Sequence, residues 1–258
     1  MAFAIFGCGA WIFAACSESN NPNNPTDGGT AADTGQPDTS AGDAGDLCTT
    51  YCNTVGAHCT GNVSESGKPN VATAQYLSQN GCLHACSKMN PGPATGDAVV
   101  SGDSVRCRTY HAGSPAQGDP ATHCPHAGIV GAGMCSSEPG KRCTTFCRLA
   151  LAVCAPAALT ARGVRSSDIP FADEADCLSV CETKVAGAFA FDDAQNELVR
   201  TGNTLNCRQY HLVAAFNDPP SNDGKASDSA VAECPNLTAS RGAIPVPGPC
   251  TTGEERNR

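Results

Sequence analysis

The sequence CTTYCNTVGAHC at residues 48–59 returns, with the same cysteine spacing, as CTTFCRLALAVC at residues 143–154. At about 100° per residue, the three cysteines of each stretch lie within about 40° of one another on a helix. Both stretches therefore predict a helix with cysteines along one face, and the second is also rich in helix-forming residues. Their recurrence indicates an internal repeat.

The repeat extends over most of the chain. In each copy the first five cysteines are separated by 4, 7, 23 and 4 positions, and the second copy is longer only after the fifth. The stretch SGDSVRCRTYH at residues 101–111 matches TGNTLNCRQYH at 201–211. Insertions confined to one part of a repeat indicate loops there. We predict two tandem modules, and the boundaries expected are 47–135 for the first, 136–142 for a linker, 143–250 for the second and 251–258 for a polar tail.

Two further helices are expected in each module. One carries the second Cys-x3-Cys pair, at residues 82–86 and 177–181. The other starts near Ser101 in the first module and near Thr201 in the second, because both residue types cap helices well. The fold class predicted is a small, mainly α, disulfide-rich protein built from two tandem helical modules.

Composition favours disulfides over a single large hydrophobic core. Aromatic residues make up 5% of the chain, whereas 18 of its 258 residues are cysteine. Small exported domains use disulfides where hydrophobic burial falls short. The sixteen cysteines after residue 47 form an even set of eight per module, as full pairing requires. A formal charge of -9 excludes a basic phosphate-binding surface, so no nucleic-acid partner is expected.

The amino terminus predicts export. Residues 1–15, MAFAIFGCGAWIFAA, are apolar and uncharged, as in the hydrophobic part of a signal peptide. They lead into Cys16, and Phe-Ala-Ala-Cys resembles the lipobox of bacterial lipoproteins. The resemblance implies a cleaved signal at 1–15, lipidation of Cys16 and membrane association through that anchor. In that family, a serine directly after the lipidated cysteine, as at Ser17 here, is typical of proteins sorted to the outer membrane. An ordinary signal cleaved nearby, or a buried apolar segment, is the alternative.

A polar tether is expected after Cys16. Residues 17–46 contain six acidic side chains, no basic side chain and no large apolar residue. Such a stretch cannot bury enough surface to offset its ordering entropy, so we expect disorder. Residues 16–46 are thus interpreted as a lipidated cysteine followed by an acidic tether with an average reach of about 30 Å.

Two helices with facing Cys-x3-Cys pairs resemble the twin Cys-x3-Cys helical hairpins of small oxidised proteins. The resemblance implies an antiparallel hairpin in each module, with a third helix and loops beside it. It implies the bridges Cys48–Cys86, Cys52–Cys82, Cys143–Cys181 and Cys147–Cys177. The cysteines that remain are then expected to pair as Cys59–Cys107, Cys124–Cys135, Cys154–Cys207 and Cys234–Cys250. The cysteine pattern alone leaves many other pairings open.

The motif Cys-Arg-x-Tyr-His is the strongest repeated polar feature. Cys and His at i and i+4 share a helix face and are ligand types for zinc or copper. The candidate metal-binding histidines are His111, His123, His126 and His211. Against a metal, disulfide pairing consumes the thiolates that ligation needs, and the second module has Glu233 and Asn236 where the first has two histidines. The alternative is a His and a Tyr packed beside a bridge.

The whole pattern resembles cysteine-rich lipoproteins of myxobacterial type, a family with no activity attached. We expect an exported protein, lipid-anchored at a bacterial outer membrane or cell surface. Our first hypothesis is a non-catalytic binding or structural module without a cofactor, whose envelope or extracellular partner is unknown. The rival hypothesis is a metal-binding (zinc or copper) or redox-active envelope protein that uses the Cys-Arg-x-Tyr-His motifs. No sequence motif predicts catalytic residues.

Overall fold

The structure is a computed structural model that describes residues 41–60, 74–93, 99–137, 141–184, 189–191, 198–219, 221–238 and 249–250. Over these ranges it is mostly helical, with no strands, and eight disulfides link it. The predicted mainly α, disulfide-rich fold class is therefore confirmed. The predicted signal peptide, Cys16 and the predicted polar tail lie outside the described residues.

Each repeat has three principal helices and several short ones. The first repeat contains α1 (Ala41–His58), α2 (Gln79–Cys86), α3 (Val105–Ala112), α4 (Ser114–Gly118) and α5 (Pro120–Ala127), then a 3-10 helix at Gly131–Gly133. The second contains α6 (Cys143–Val153), α7 (Pro156–Thr160), α8 (Glu174–Thr183), α9 (Leu205–Ala215) and α10 (Asp228–Glu233), with 3-10 helices at Ser166–Asp168 and Cys234–Leu237. Thus α6, α8 and α9 repeat α1, α2 and α3.

Two predicted boundaries are wrong. Helix α1 begins at Ala41, so the last residues of the predicted tether are helical, while residues 16–40 lie outside the described part. Helix α3 begins three residues later than expected, because the hydroxyl of Ser104, not of Ser101, accepts the backbone N–H of Cys107 at 3.2 Å. Thr204 caps α9 in the same way. Ser and Thr occur at both candidate positions of each repeat, so capping preference alone could not choose between them.

The hairpin bridges are those that the resemblance implies. They are Cys48–Cys86, Cys52–Cys82, Cys143–Cys181 and Cys147–Cys177. In each repeat an outer and an inner bridge tie the first helix to the second. The geometry of one repeat is therefore reproduced in the other by the same four cysteine positions.

The other four predicted bridges are wrong. The structure replaces them with Cys59–Cys124, Cys107–Cys135, Cys154–Cys234 and Cys207–Cys250. The reason lies in the short helices after α3, which turn the chain back so that α5 packs against α1. Cys124 then reaches the carboxyl end of α1, where its Sγ also lies 3.8 Å from the His58 carbonyl oxygen.

One continuous cluster of buried side chains runs through both repeats, contrary to the expectation of no single large core. Half of its members are Cys or Ala, and the described residues between 41 and 250 belong to one compact unit. The aromatic pair of each repeat is equivalent: Tyr51 and Tyr76 meet edge to face at 6.1 Å, and Phe146 and Phe171 at 6.3 Å. Few large side chains suffice because bridges and small residues fill the remaining interior.

Polar contacts join the two repeats. The carboxylate of Asp103 accepts from Arg108 in its own repeat and from Arg148 in the other, each at 2.9 Å. Arg148 also donates to the Lys88 carbonyl at 2.8 Å. A ring nitrogen of His84, on α2, lies 3.1 Å from the Phe216 carbonyl oxygen just beyond α9. The repeats are thus docked through α2, α6 and α9.

Residues Cys143–Thr160 are long and apolar enough to cross a membrane by composition, with a mean hydropathy of 1.5. In the structure α6 ends at Val153, and a separate short helix begins at Pro156. Disulfides tie all three cysteines of the stretch to other parts of the second repeat. We therefore assign this segment to the core of the compact unit.

Candidate functional site

The Cys-Arg-x-Tyr-His motif occupies α3 in the first repeat and α9 in the second. The cysteine of each motif forms a disulfide with the last cysteine of its repeat, Cys135 or Cys250. The ligating atoms of Cys107, His111 and Cys135 lie within 4.8 Å of one another, as do those of Cys207, His211 and Cys250. A sulfur already bonded to another sulfur supplies no thiolate, so the oxidised motif offers a metal only its histidine.

The motif's arginine has a structural role. Arg108 is completely buried, and its guanidinium donates to Asp103 and to the carbonyl oxygens of Gly128 and Ile129. Charge-assisted hydrogen bonds of this kind fix a loop that no regular element holds. Arg108 therefore fastens the segment after α5 to α3.

Arg208 does the same in the second repeat. It donates to Asn203 and to the carbonyl oxygens of Thr238 and Cys250, and its guanidinium lies 4.8 Å above the ring of Phe189. Burial lowers the pKa of Arg208 to about 9, which still leaves the side chain charged at neutral pH. The sequence motif did not predict that both arginines are among the most deeply buried side chains.

Three imidazoles meet in the first repeat, in what we call the histidine corner: His111 of α3 and His123 and His126 of α5. The Nδ1 atoms of His111 and His123 are 3.1 Å apart, and their rings are stacked at 5.4 Å. The His126 ring lies 5.0 Å from that of His111 and 6.0 Å from that of His123. The structure thus brings together three of the four histidines that the sequence singled out.

Two rings of the histidine corner, those of His111 and His126, have lowered pKa values. Burial lowers the pKa of His111, and the neighbouring His123 lowers it further. Burial, followed by the effects of His111 and His123, lowers the pKa of His126 to about 4. The Nδ1 atom of His126 is buried and has no hydrogen-bond partner. At neutral pH these two rings therefore have lone pairs rather than positive charges.

The fourth histidine occupies the equivalent corner of the second repeat with different neighbours. Nδ1 of His211 lies 2.5 Å from Oε2 of Glu233, and Asn236 donates to the same carboxylate at 3.3 Å. The hydrogen bond from His211 lowers the pKa of Glu233. In the second repeat the Nδ1 atom of the histidine thus contacts a carboxylate, whereas in the first repeat the Nδ1 atom of His111 contacts the ring of His123. The sequence placed Glu233 and Asn236 opposite His123 and His126, but it did not predict this ion pair.

The surroundings of the two corners differ as well. Val100 and Tyr110, which flank His111, are 49% and 38% exposed. In the second repeat Arg200 takes the place of Val100 and lies over the ring of Tyr210, at 5.8 Å from its centroid. Exposed apolar side chains thus border the corner of the first repeat, whereas in the second repeat the cation of Arg200 lies against the equivalent tyrosine.

His58 and His84, the two histidines outside the metal-binding candidates, are partly buried. A ring nitrogen of His58 lies 2.7 Å from the Ala112 carbonyl oxygen, and His84 contacts the Phe216 carbonyl as described above. Both link one helix end to another. Neither belongs to the histidine corner, so both serve as controls for it.

Two clefts of the described part are small. One of about 290 Å³ lies beside the Cys52–Cys82 bridge, and one of about 210 Å³ lies where the repeats meet, near Phe216. Pockets for drug-sized ligands usually enclose about 300–1,000 Å³. Comparisons with protein-family models, with curated proteins and with solved structures find no match.

Proposed function

We propose that this protein is an exported, lipid-anchored and non-catalytic binding or structural module of a bacterial cell envelope. The observation that most strongly supports the proposal is the pairing of all sixteen cysteines from residue 48 to residue 250 in eight disulfides. Disulfides at this density persist in oxidising compartments and not in a reducing cytosol. The lipobox-like Phe-Ala-Ala-Cys16 and the acidic tether support an anchor, and the likeness to myxobacterial-type lipoproteins supports surface display.

The uses of the buried polar groups support a non-catalytic role. Arg108 and Arg208 bind backbone carbonyls, and the hydroxyl of Tyr51 donates to the Ala127 carbonyl at 2.6 Å. These contacts hold loops against helices. The two clefts described above lie at or below the lower limit of ordinary small-molecule pockets, about 300 Å³.

The rival function is a metal-binding or redox-active envelope protein. Disulfide pairing argues against ligation by the Cys-Arg-x-Tyr-His motif as a unit, because it removes the thiolates from both copies. The histidines remain, and they have different neighbours in the two repeats. Three imidazoles meet in the first repeat, whereas Glu233 and Asn236 surround the histidine of the second. This difference favours metal binding in the first repeat only.

Intact-mass analysis of the mature protein from a bacterial host tests the proposed function. We expect a chain that starts at Cys16, carries a lipid adduct and gains sixteen hydrogens on reduction, two for each of the eight bridges. The control C16S should lose the adduct and leave the membrane fraction, yet gain the same sixteen hydrogens. A mature wild-type chain without lipid, or with free thiols before reduction, would contradict the proposal.

A further inference from the structure

The hydrogen bond between His111 and Val100 determines where the ring proton lies. Nε2 of His111 is 3.0 Å from the Val100 carbonyl oxygen, which can only accept, so Nε2 must carry a proton. In the neutral ring, Nδ1 then carries no proton and accepts a hydrogen bond from Nδ1 of His123 at 3.1 Å, so a metal ion bound by both atoms takes the place of that shared proton. A backbone carbonyl that orients a histidine in this way is the usual outer partner of a metal-binding imidazole.

The separations in the histidine corner match those of ligands on one ion. Two nitrogens bound to a tetrahedral zinc ion at about 2.0–2.1 Å are about 3.3 Å apart, and the ring centroids are then about 5 Å apart. The Nδ1 atoms of His111 and His123 are 3.1 Å apart. The three ring centroids are 5.0, 5.4 and 6.0 Å apart. Binding of all three rings to one ion requires the His126 ring to turn so that its unpartnered Nδ1 faces the same point.

The second repeat shows the same corner with a carboxylate, rather than an imidazole, as the Nδ1 partner of its histidine. His211 also donates from Nε2 to a backbone carbonyl, that of Arg200 at 3.2 Å. Its Nδ1 is bound to Glu233 and is therefore occupied. The two corners share a helix, a motif and a backbone contact. They differ at the two positions where the first repeat has imidazoles.

We propose that His111, His123 and His126 together bind one Zn²⁺ or Cu²⁺ ion in the first repeat. Imidazole suits zinc and copper, whereas magnesium and calcium prefer oxygen ligands. Three protein ligands leave a further coordination position for water or for a donor from a partner. This site goes beyond the non-catalytic module proposed above and does not depend on the lipid anchor.

Metal loading of the tag-free, disulfide-intact chain provides the first test. After removal of adventitious metal, titration with Zn²⁺ or Cu²⁺ followed by dialysis and elemental analysis should give about one ion per chain. The electron paramagnetic resonance spectrum of the Cu²⁺-loaded wild type should show coupling to imidazole nitrogens, while the free-thiol count stays at zero. A chain that retains no ion, or a spectrum without nitrogen coupling, would overturn the proposal.

Exchanging residues between the repeats provides the second test. The variant H123E/H126N gives the first corner the side chains of the second, and it should lose the ion while keeping its helical circular dichroism and its thiol count. The control H84Q should keep the ion. The reverse variant, E233H/N236H, should raise the ratio from one ion to two. Retention of the ion by folded H123E/H126N, or a ratio of one in folded E233H/N236H, would contradict ligation by these imidazoles.

Discussion

Arg108 shows how one buried charge can organise a loop. Its guanidinium has no solvent exposure, lies 2.9 Å from Asp103, and also donates to two successive backbone carbonyls after α5. Leaving those acceptors buried without a donor costs more than the hydrogen bonds themselves contribute. The same residue type recurs at Arg208, where Asn203 replaces the carboxylate. Each repeat thus uses a cation to hold the segment that follows its third helix.

Replacing Arg108 by methionine should destabilise the oxidised protein by about 3 kcal/mol, because it leaves two buried carbonyl groups without donors. Urea denaturation followed by circular dichroism, without reductant, measures the change. Arg165, which is 81% exposed and paired with Asp168, is the control, and Arg165→Met should change stability by less than about 0.5 kcal/mol. Equal effects of the two substitutions would show that Arg108 has no special role.

At the scale of the helices, the recurring cysteines predicted α1, α2, α6 and α8, since a Cys-x3-Cys pair presents one helical face. Capping preference, by contrast, placed the starts of α3 and α9 three residues too early. Local sequence also could not predict the partners of Cys59 and Cys154, because those depend on how α4, α5 and α10 turn the chain. The histidine corner was foreseen as a set of candidates, whereas the ion pair of His211 with Glu233 required the tertiary arrangement.

Removal of the α3 cap distinguishes the observed helix start from the one expected from sequence. Ser104→Ala should cost about 1 kcal/mol, because the Cys107 N–H loses its acceptor at the first turn. Ser101→Ala should change stability by less than about 0.5 kcal/mol, since Ser101 is exposed and precedes the helix. Guanidinium denaturation of the two variants gives the comparison. If Ser101→Ala lowered stability more than Ser104→Ala does, the helix cap would be Ser101 instead.

The bridge between α1 and α5 can be tested by thiol counting. In C59A/C124A both partners of one bridge are removed, so no thiol should appear beyond those of the wild type. In C59A/C107A, the pair expected from sequence, Cys124 and Cys135 should each lose a partner, and two thiols should appear. The chain-entropy model gives about 4 kcal/mol of destabilisation for C59A/C124A. Two thiols in C59A/C124A and none in C59A/C107A would show that Cys59 is paired with Cys107 instead.

At the scale of the whole molecule, two oxidised repeats share one interior. Cysteine and alanine form half of the continuous buried cluster, and the three phenylalanines Phe146, Phe171 and Phe189 pack together with ring centroids 5.7 to 6.3 Å apart. Small side chains contribute little hydrophobic free energy each, since that free energy scales with the apolar area buried. The bridges therefore provide cross-links and also much of the filling of the core.

The hydrodynamic radius of the chain, measured in one non-denaturing buffer before and after complete reduction, tests most directly whether disulfides maintain this fold. We predict that this radius increases on reduction, as the chain expands toward an unfolded polypeptide whose radius of gyration is roughly threefold that of a folded chain of this length. A fully reduced chain that keeps the radius of the oxidised protein would contradict the account.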